Sequence, residues 1–259
     1  MGKFHFSRKQ LCIPYVLYLI CFVMAPLLVI LYYAFSDGNG NFTLSNFVNF
    51  FTQSNTLGTL FYSLVIAFTT TIVCLVIAYP IAYILATSSI RKKSAILMMF
   101  VMPMWVNFTL RITALKEENL AFHPFINTVI GMTYDFLPFM IMPIYVTLVN
   151  IDKGLHEAAR DLGAGEIRTF FLVTFPLSMP GIVSGVTMVF LPAMTNYVVL
   201  DMLYNSTYIM GSLIGSYFSA YDWNNGSMIS IVLLAIILIV TFITNKIDDK
   251  RTDSREAVL

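Results

Sequence analysis

This sequence predicts an all-α integral membrane protein with six transmembrane helices and both termini on the cytoplasmic side. Three observations carry that expectation. Of 259 residues, 58% are hydrophobic and 11% charged, against about 25% charged in a soluble domain. The apolar residues gather into six runs, near the roughly 20 residues that cross a bilayer. The basic residues are unevenly shared between the segments that join those runs.

The first run, 11–34, follows a basic start (Lys3, Arg8, Lys9). It is too long for a signal-peptide core and lacks an obvious cleavage site, so it reads as an uncleaved span that Pro26 bends. A turn-rich loop follows, Asp37-Gly38-Asn39-Gly40-Asn41, then Phe42, Phe47, Phe50 and Phe51 interleaved with polar residues. That pattern suits a short element at the membrane interface. The second run is 57–87, the third 95–112 after Arg91-Lys92-Lys93, and the fourth 125–150. A polar island at 152–176 separates it from the fifth, 179–203. In the segment beyond, Ile209, Leu213, Ile214 and Tyr217 are spaced for an amphipathic surface helix. The sixth run is 228–243, ahead of a charged tail. The whole chain, 1–259, reads as a single transmembrane domain.

Orientation follows from Lys and Arg. With the N-terminus inside, thirteen of the fifteen lie in inner segments, and only Arg111 and Lys116 lie outside. That bias places both termini and the 152–176 loop in the cytoplasm.

The loop is the centre of the functional argument. Leu155, Ala158, Ala159 and Leu162 recur at i, i+3, i+4, i+7, one face of a helix. Asp152 is positioned as its N-cap, and Gly163 and Gly165 can end it. A second short helical stretch follows and runs into Pro176. Such a helix–Gly–helix unit presents a small apolar face suited to a groove on another protein. The plainer reading is a solvated connector that touches nothing.

Glu157-Ala158-Ala159, three residues, Gly163, nine residues, then Val173-Thr174-Phe175-Pro176 resembles the EAA loop of ABC importer permeases. Val173 and Phe175 stand where that family usually has Ile and Leu. Further stretches resemble the B-type permease subunits of spermidine/putrescine ABC transporters. They include Ala78-Tyr79-Pro80-Ile81-Ala82-Tyr83, Pro103-Met104-Trp105, Tyr134-Asp135-Phe136-Leu137-Pro138-Phe139-Met140 and Leu191-Pro192-Ala193-Met194. The resemblance implies a type I ABC importer permease fold. It implies that Leu155, Glu157, Ala158, Ala159, Leu162, Gly163 and Pro176 belong to the coupling helix that seats in an ATPase. It also implies the partners: a second permease subunit, an ATPase dimer and an extracytoplasmic substrate-binding protein. One departure is the connector after Leu115, shorter than the family's.

Several chemistries have no residues to stand on. A phosphate-cradling G-x-x-x-x-G-K-[ST] loop is absent, so no cofactor is expected here, and ATP and Mg would sit on the partner ATPase. Cys12, Cys21 and Cys74 lie in apolar runs, and His5, His123 and His156 are scattered, so no metal site is expected. Neither a nucleophile elbow nor a zinc-protease helix occurs, which leaves a transport subunit rather than an enzyme. A net charge of +1 gives no case for nucleic acid.

Ionisable residues inside a membrane mark pathways by default. Asp135 in the fourth run and Asp201 late in the fifth are the candidates, each open to pairing with Arg111. Trp105, Tyr134, Tyr145 and Tyr197 could hold ammonium groups on their faces, and Asn107 and Asn196 could add hydrogen bonds. Lipid contact, interhelical packing or a satisfied ion pair explains the same residues without a substrate. The expected cargo is a polyamine, with other small solutes (a metal ion, an oxyanion, thiamine) as alternatives. An ion-coupled secondary carrier would need an internal repeat of broken helices, and no defensible pairing of the prolines is evident.

Overall fold

The computed structural model describes residues 12–88, 90–117, 124–203 and 209–256, all of them helical or in short connections apart from one isolated bridge between Ser36 and Phe42. The basic N-terminal segment, most of the connector after Leu115, and 204–208 lie outside the described residues. Among the described residues, five helices are long and apolar enough to cross a membrane: Pro14–Ala34, Asn55–Thr87, Pro124–Val149, Glu166–Thr195 and Trp223–Thr244. The chain divides into two compact units, one of residues 1–57 with 213–236 and one of 58–212 with 237–259.

The first unit holds α1 (Cys12–Leu19), α2 (Ala25–Ala34) and α3 (Ser45–Thr52). A π turn, Ile20–Met24, joins α1 to α2 without a break, and Ala25 N–H reaches the Ile20 carbonyl. The cause is Pro26: its ring collides with the carbonyl four residues back, and one widened turn absorbs the collision. The loop 37–41 is closed by the Asp37 carboxylate, which accepts from Asn39 N–H and Asn41 N–H, both at 2.9 Å. The Asn41 N–H first among these lowers the Asp37 pKa below its ordinary value. Asn46 donates to the Ala34 and Ser36 carbonyls at 3.1 and 3.0 Å, so the interfacial helix α3 is pinned to the end of α2. Asn224, at the start of the last helix, donates to the Tyr33 carbonyl at 3.1 Å.

The second unit is built on α7 (Pro124–Val149) and α10 (Phe175–Thr195), its most closely packed pair. Two glycines one turn apart set their approach. A Cβ on Gly181 would lie 2.7 Å from the Pro143 carbonyl oxygen, and one on Gly185 would lie 2.7 Å from Met140 Sδ. Gly181-x-x-x-Gly185 is the small-residue spacing that lets membrane helices come together. Met140, Ile141, Ile144, Val189 and Met194 are buried along this seam.

Two expected spans differ from expectation. The third, 95–112, is not one helix. It is α5 (Lys93–Val101), a 3₁₀ turn (Met102–Trp105), an extended Val106 at φ −77°, ψ 139°, and α6 (Phe108–Glu117). Pro103 tightens the turn, and Asn107 restarts the chain by accepting Thr109 N–H at 2.9 Å. The fifth, 179–203, is shifted and interrupted. Its helix begins at Glu166 and ends at Thr195, and α11 (Tyr197–Leu203) is separate. Pro176 does not end a helix here. A π turn, Phe170–Thr174, lies two residues before it, with Phe175 N–H on the Phe170 carbonyl, so the same device used at Pro26 carries the helix through.

Candidate functional site: the 152–176 helix pair and a buried ion pair

The 152–176 segment folds as the spacing indicates. Asp152 caps α8 (Lys153–Asp161) by accepting Gly154 N–H at 3.0 Å. Gly163 closes it with φ +79°, while Gly163 N–H reaches the Arg160 carbonyl at 2.8 Å and Ala164 N–H the Ala159 carbonyl at 3.0 Å. This pair of bonds is the Schellman closure. Gly165 has a different role. At φ −66° it is the N-cap of α9 (Glu166–Thr169), a conformation open to any residue.

The apolar face points outward. Leu155 is 45% exposed and Leu162 89%, with Ala158 exposed and Ala159 half-buried. Ile167, Phe171 and Leu172, which sequence reasoning did not single out, are also exposed and line an open apolar groove beside Glu166. Glu157 is exposed and lines a second groove of about 790 Å³ with Lys93, Tyr145, Lys153, His156, Arg160 and Thr174. Pro176 is exposed.

A brace fixes α8 to the base of α10. His156 Nε2 lies 3.0 Å from Thr174 Oγ1. Phe170 meets the rings of Tyr83 and Tyr79 edge-on at 5.2 and 5.9 Å, and Tyr79 also touches Phe175. The Ser178 hydroxyl donates to the Phe175 carbonyl at 2.8 Å, so at 3.0 Å the Tyr79 hydroxyl donates to Ser178. Two residues of α4 (Ser54–Thr87) thereby grip the π turn. The exposed Arg160–Glu166 pair at 3.7 Å adds little. The sequence signal for the aromatic part of the brace was present, a Tyr-Pro-Ile-Ala-Tyr stretch and a Phe pair, but Tyr79 and its partner Ser178 lie 99 residues apart.

The candidate pathway residues divide into groups. Arg111 Nη2 lies 2.7 Å from Asp135 Oδ1, and the two side chains are 10% and 9% exposed. Of the two carboxylates open to Arg111, Asp135 receives it. Asp201 is exposed on α11, which packs against both α6 and α7. Tyr134 and Tyr197 are each a little over 40% exposed, and Trp105 is 79% exposed at the end of the 3₁₀ turn. Asn107 and Asn196 both cap helices, Asn196 accepting Val198 N–H at 3.2 Å. Tyr145 stands apart. Ten residues along α7 is about 15 Å, which places it in the groove beside His156 rather than with Asp135.

Residues 76–252 match the family described as binding-protein-dependent transport system inner membrane component. The chain belongs to that family. This permease is 33% identical to the spermidine/putrescine transport system permease protein PotB of Haemophilus influenzae, over 91% of this chain and 93% of that protein. It is 32% identical to PotB of Escherichia coli strain K12, over 91% and 97%. Its fold is shared with a chain of a bacterial ABC transporter involved in the import of the acidic polysaccharide alginate. The TM-score is 0.75, with 92% and 95% of the two chains covered and 13% identity, a likeness of fold alone. The permease is an inner-membrane transport subunit of an ABC importer, similar to PotB, and its relatives are permeases rather than enzymes.

Proposed function

We propose that this permease carries polyamines, as one half of a heteromeric pathway driven by a separate ATPase. The observation that carries the proposal is the likeness to PotB over nine-tenths of the chain. In this reading α5 and α6 together make the sixth crossing, and both termini face the cytoplasm, as the Lys and Arg distribution favours. The partners are a second permease subunit, two copies of an ATPase that bind ATP and Mg, and an extracytoplasmic binding protein.

Coupling runs through α8. Leu155, Ala158, Ala159 and Leu162 form the face that the ATPase grips, and Gly163 fixes the turn behind it. Because the His156–Thr174 contact ties α8 to the foot of α10, and Tyr79 holds the π turn there against α4, movement of the ATPase is handed to α10. The Gly181 and Gly185 seam passes it to α7, which bears Asp135. ATP closure thus tilts the α7–α10 pair and switches which side of the membrane its cavity opens to.

The test is purification of the tagged chain in mild detergent, identification of the subunits that accompany it, and assay of which solute stimulates ATP hydrolysis. Stimulation by spermidine or putrescine with the binding protein present is the expected result. Stimulation by thiamine, an oxyanion or a metal ion instead would replace the cargo while leaving the transport class intact.

A further inference from the structure

Asp135 is the twelfth residue of α7, about 18 Å along a helix of about 39 Å, so its carboxylate lies near mid-span. A carboxylate at that depth needs a cation close by. Arg111 supplies it at 2.7 Å, with both side chains about nine-tenths buried. What carries Arg111 is unusual. It is not a continuous span but α6, a ten-residue helix that starts at the break after extended Val106. A cation on so short an element can leave without a whole span being dismantled.

A second short helix completes the arrangement. α11 packs against α6 and α7 and carries Asp201, whose side chain is exposed. Both short helices begin by the same means: Pro103-Met104-Trp105-Val106-Asn107 and Pro192-Ala193-Met194-Thr195-Asn196 each place an Asn four residues after a Pro. In each, the Asn side chain accepts the backbone N–H two residues on, from Thr109 and Val198. Gly211 backs against the Thr195 carbonyl at the second break, leaving no room for a side chain there. One guanidinium on a short helix therefore meets a buried carboxylate, with a second, exposed carboxylate on the neighbouring short helix.

We propose that Arg111 is a tethered stand-in for substrate. Between transport cycles its guanidinium occupies Asp135, and an arriving ammonium group displaces it, α6 then turning Arg111 toward Asp201. This rests on the polyamine reading above. The exchange keeps Asp135 paired throughout, and it lets a dication or larger pass while solutes lacking an ammonium group leave the pair closed. A tethered competitor lowers apparent substrate affinity by the fraction of time it holds the site. Weakening the competitor must then strengthen the substrate.

The experiment uses the assembled transporter with its ATPase and binding protein, with spermidine as the probe. Arg111→Lys keeps the charge but loses the planar fork that suits a carboxylate. The spermidine concentration for half-maximal stimulation of ATP hydrolysis should fall several-fold. For Arg111→Met it should fall roughly tenfold, with a larger spermidine-induced rise in Tm than in the parent. Arg111→Met/Asp135→Leu replaces the ion pair with apolar side chains, a change that buried pairs often tolerate. That variant should assemble and lose spermidine uptake about a hundredfold. Near-parental uptake in it, or an unchanged or raised half-maximal concentration in Arg111→Lys, would reduce the pair to a structural tie and overturn the proposal. If Arg111→Met or the double variant fails to recruit its ATPase, Arg111→Lys decides alone. A parent complex that spermidine and putrescine both fail to stimulate removes the polyamine reading and the exchange with it. A stimulated parent with an indifferent Arg111→Lys removes the exchange only.

Discussion

At Gly163 the backbone itself sets the requirement. An added Cβ would meet nothing within 4 Å, yet φ is +79°, so the penalty of a side chain is conformational alone. Ala there should cost about 1–2 kcal/mol, and Asn, which visits the left-handed region more readily, much less. We expect Gly163→Ala to lower uptake per ATP hydrolysed and to raise amide exchange at 162–165, with Gly163→Asn close to the parent. Equal behaviour of the two would deny that the turn's geometry matters. Gly181 poses the opposite problem, since its Cβ would meet Thr147 Oγ1 at 2.6 Å and the Pro143 carbonyl, a backbone atom that cannot yield. Gly181→Ala should cost about 1–3 kcal/mol as overpacking. Gly185→Ala should cost less, because the nearest atom is the side-chain Sδ of Met140 at 2.7 Å, with the Met140 backbone oxygen further off at 3.3 Å. Thermal melts of the purified subunit check the order. The turn glycine was legible from its place after a helix period. The packing glycines were equally present as Gly-x-x-x-Gly, but their role depends on which helix faces them, and that is a tertiary fact.

The helices carry the clearest lesson about what hydropathy reads. An apolar run reports composition, and 95–112 is mostly apolar despite Asn107, Thr109 and Arg111, so it reads as one span. Pro103 and Asn107 instead end one helix and begin another. Asn107 and Asn196 were candidates for hydrogen bonds to a substrate, and each commits its side-chain oxygen to a helix cap. In the other direction, Pro176 reads as a stop, and a π turn carries the helix through it. The brace between His156 and Thr174 belongs to this scale as well. Thr174→Val keeps the shape and removes the hydroxyl. We expect about 1 kcal/mol of coupling between the two positions in a double-mutant cycle with His156→Ala. Uptake per ATP hydrolysed should fall in either single variant with ATPase recruitment unchanged. Additive effects would mean that the two side chains act separately.

For the whole molecule, the all-helical fold was legible because a bilayer leaves few other ways to satisfy the backbone. The Arg111–Asp135 pair was half legible: its members were named, but two carboxylates were open to one arginine, and only packing of α6 on α7 decides. The first half of the polar 152–176 unit was legible, since the Asp152 cap, the helical period and the Gly163 turn are all local, whereas the π turn at 170–174 and the His156–Thr174 tie were not. It is also where the chain must meet its motor if the proposed coupling is right. Ala158 is exposed on the outward face of α8, and Cys12, Cys21 and Cys74 can be replaced to leave it a unique thiol position. The decisive measurement is therefore cross-linking from Ala158→Cys in native membranes with a short bifunctional reagent. A covalent adduct with an ATPase subunit, its yield changing when ATP is trapped, is the predicted result. An uptake-competent Ala158→Cys variant that forms no adduct with any ATPase, under either nucleotide condition, would contradict it.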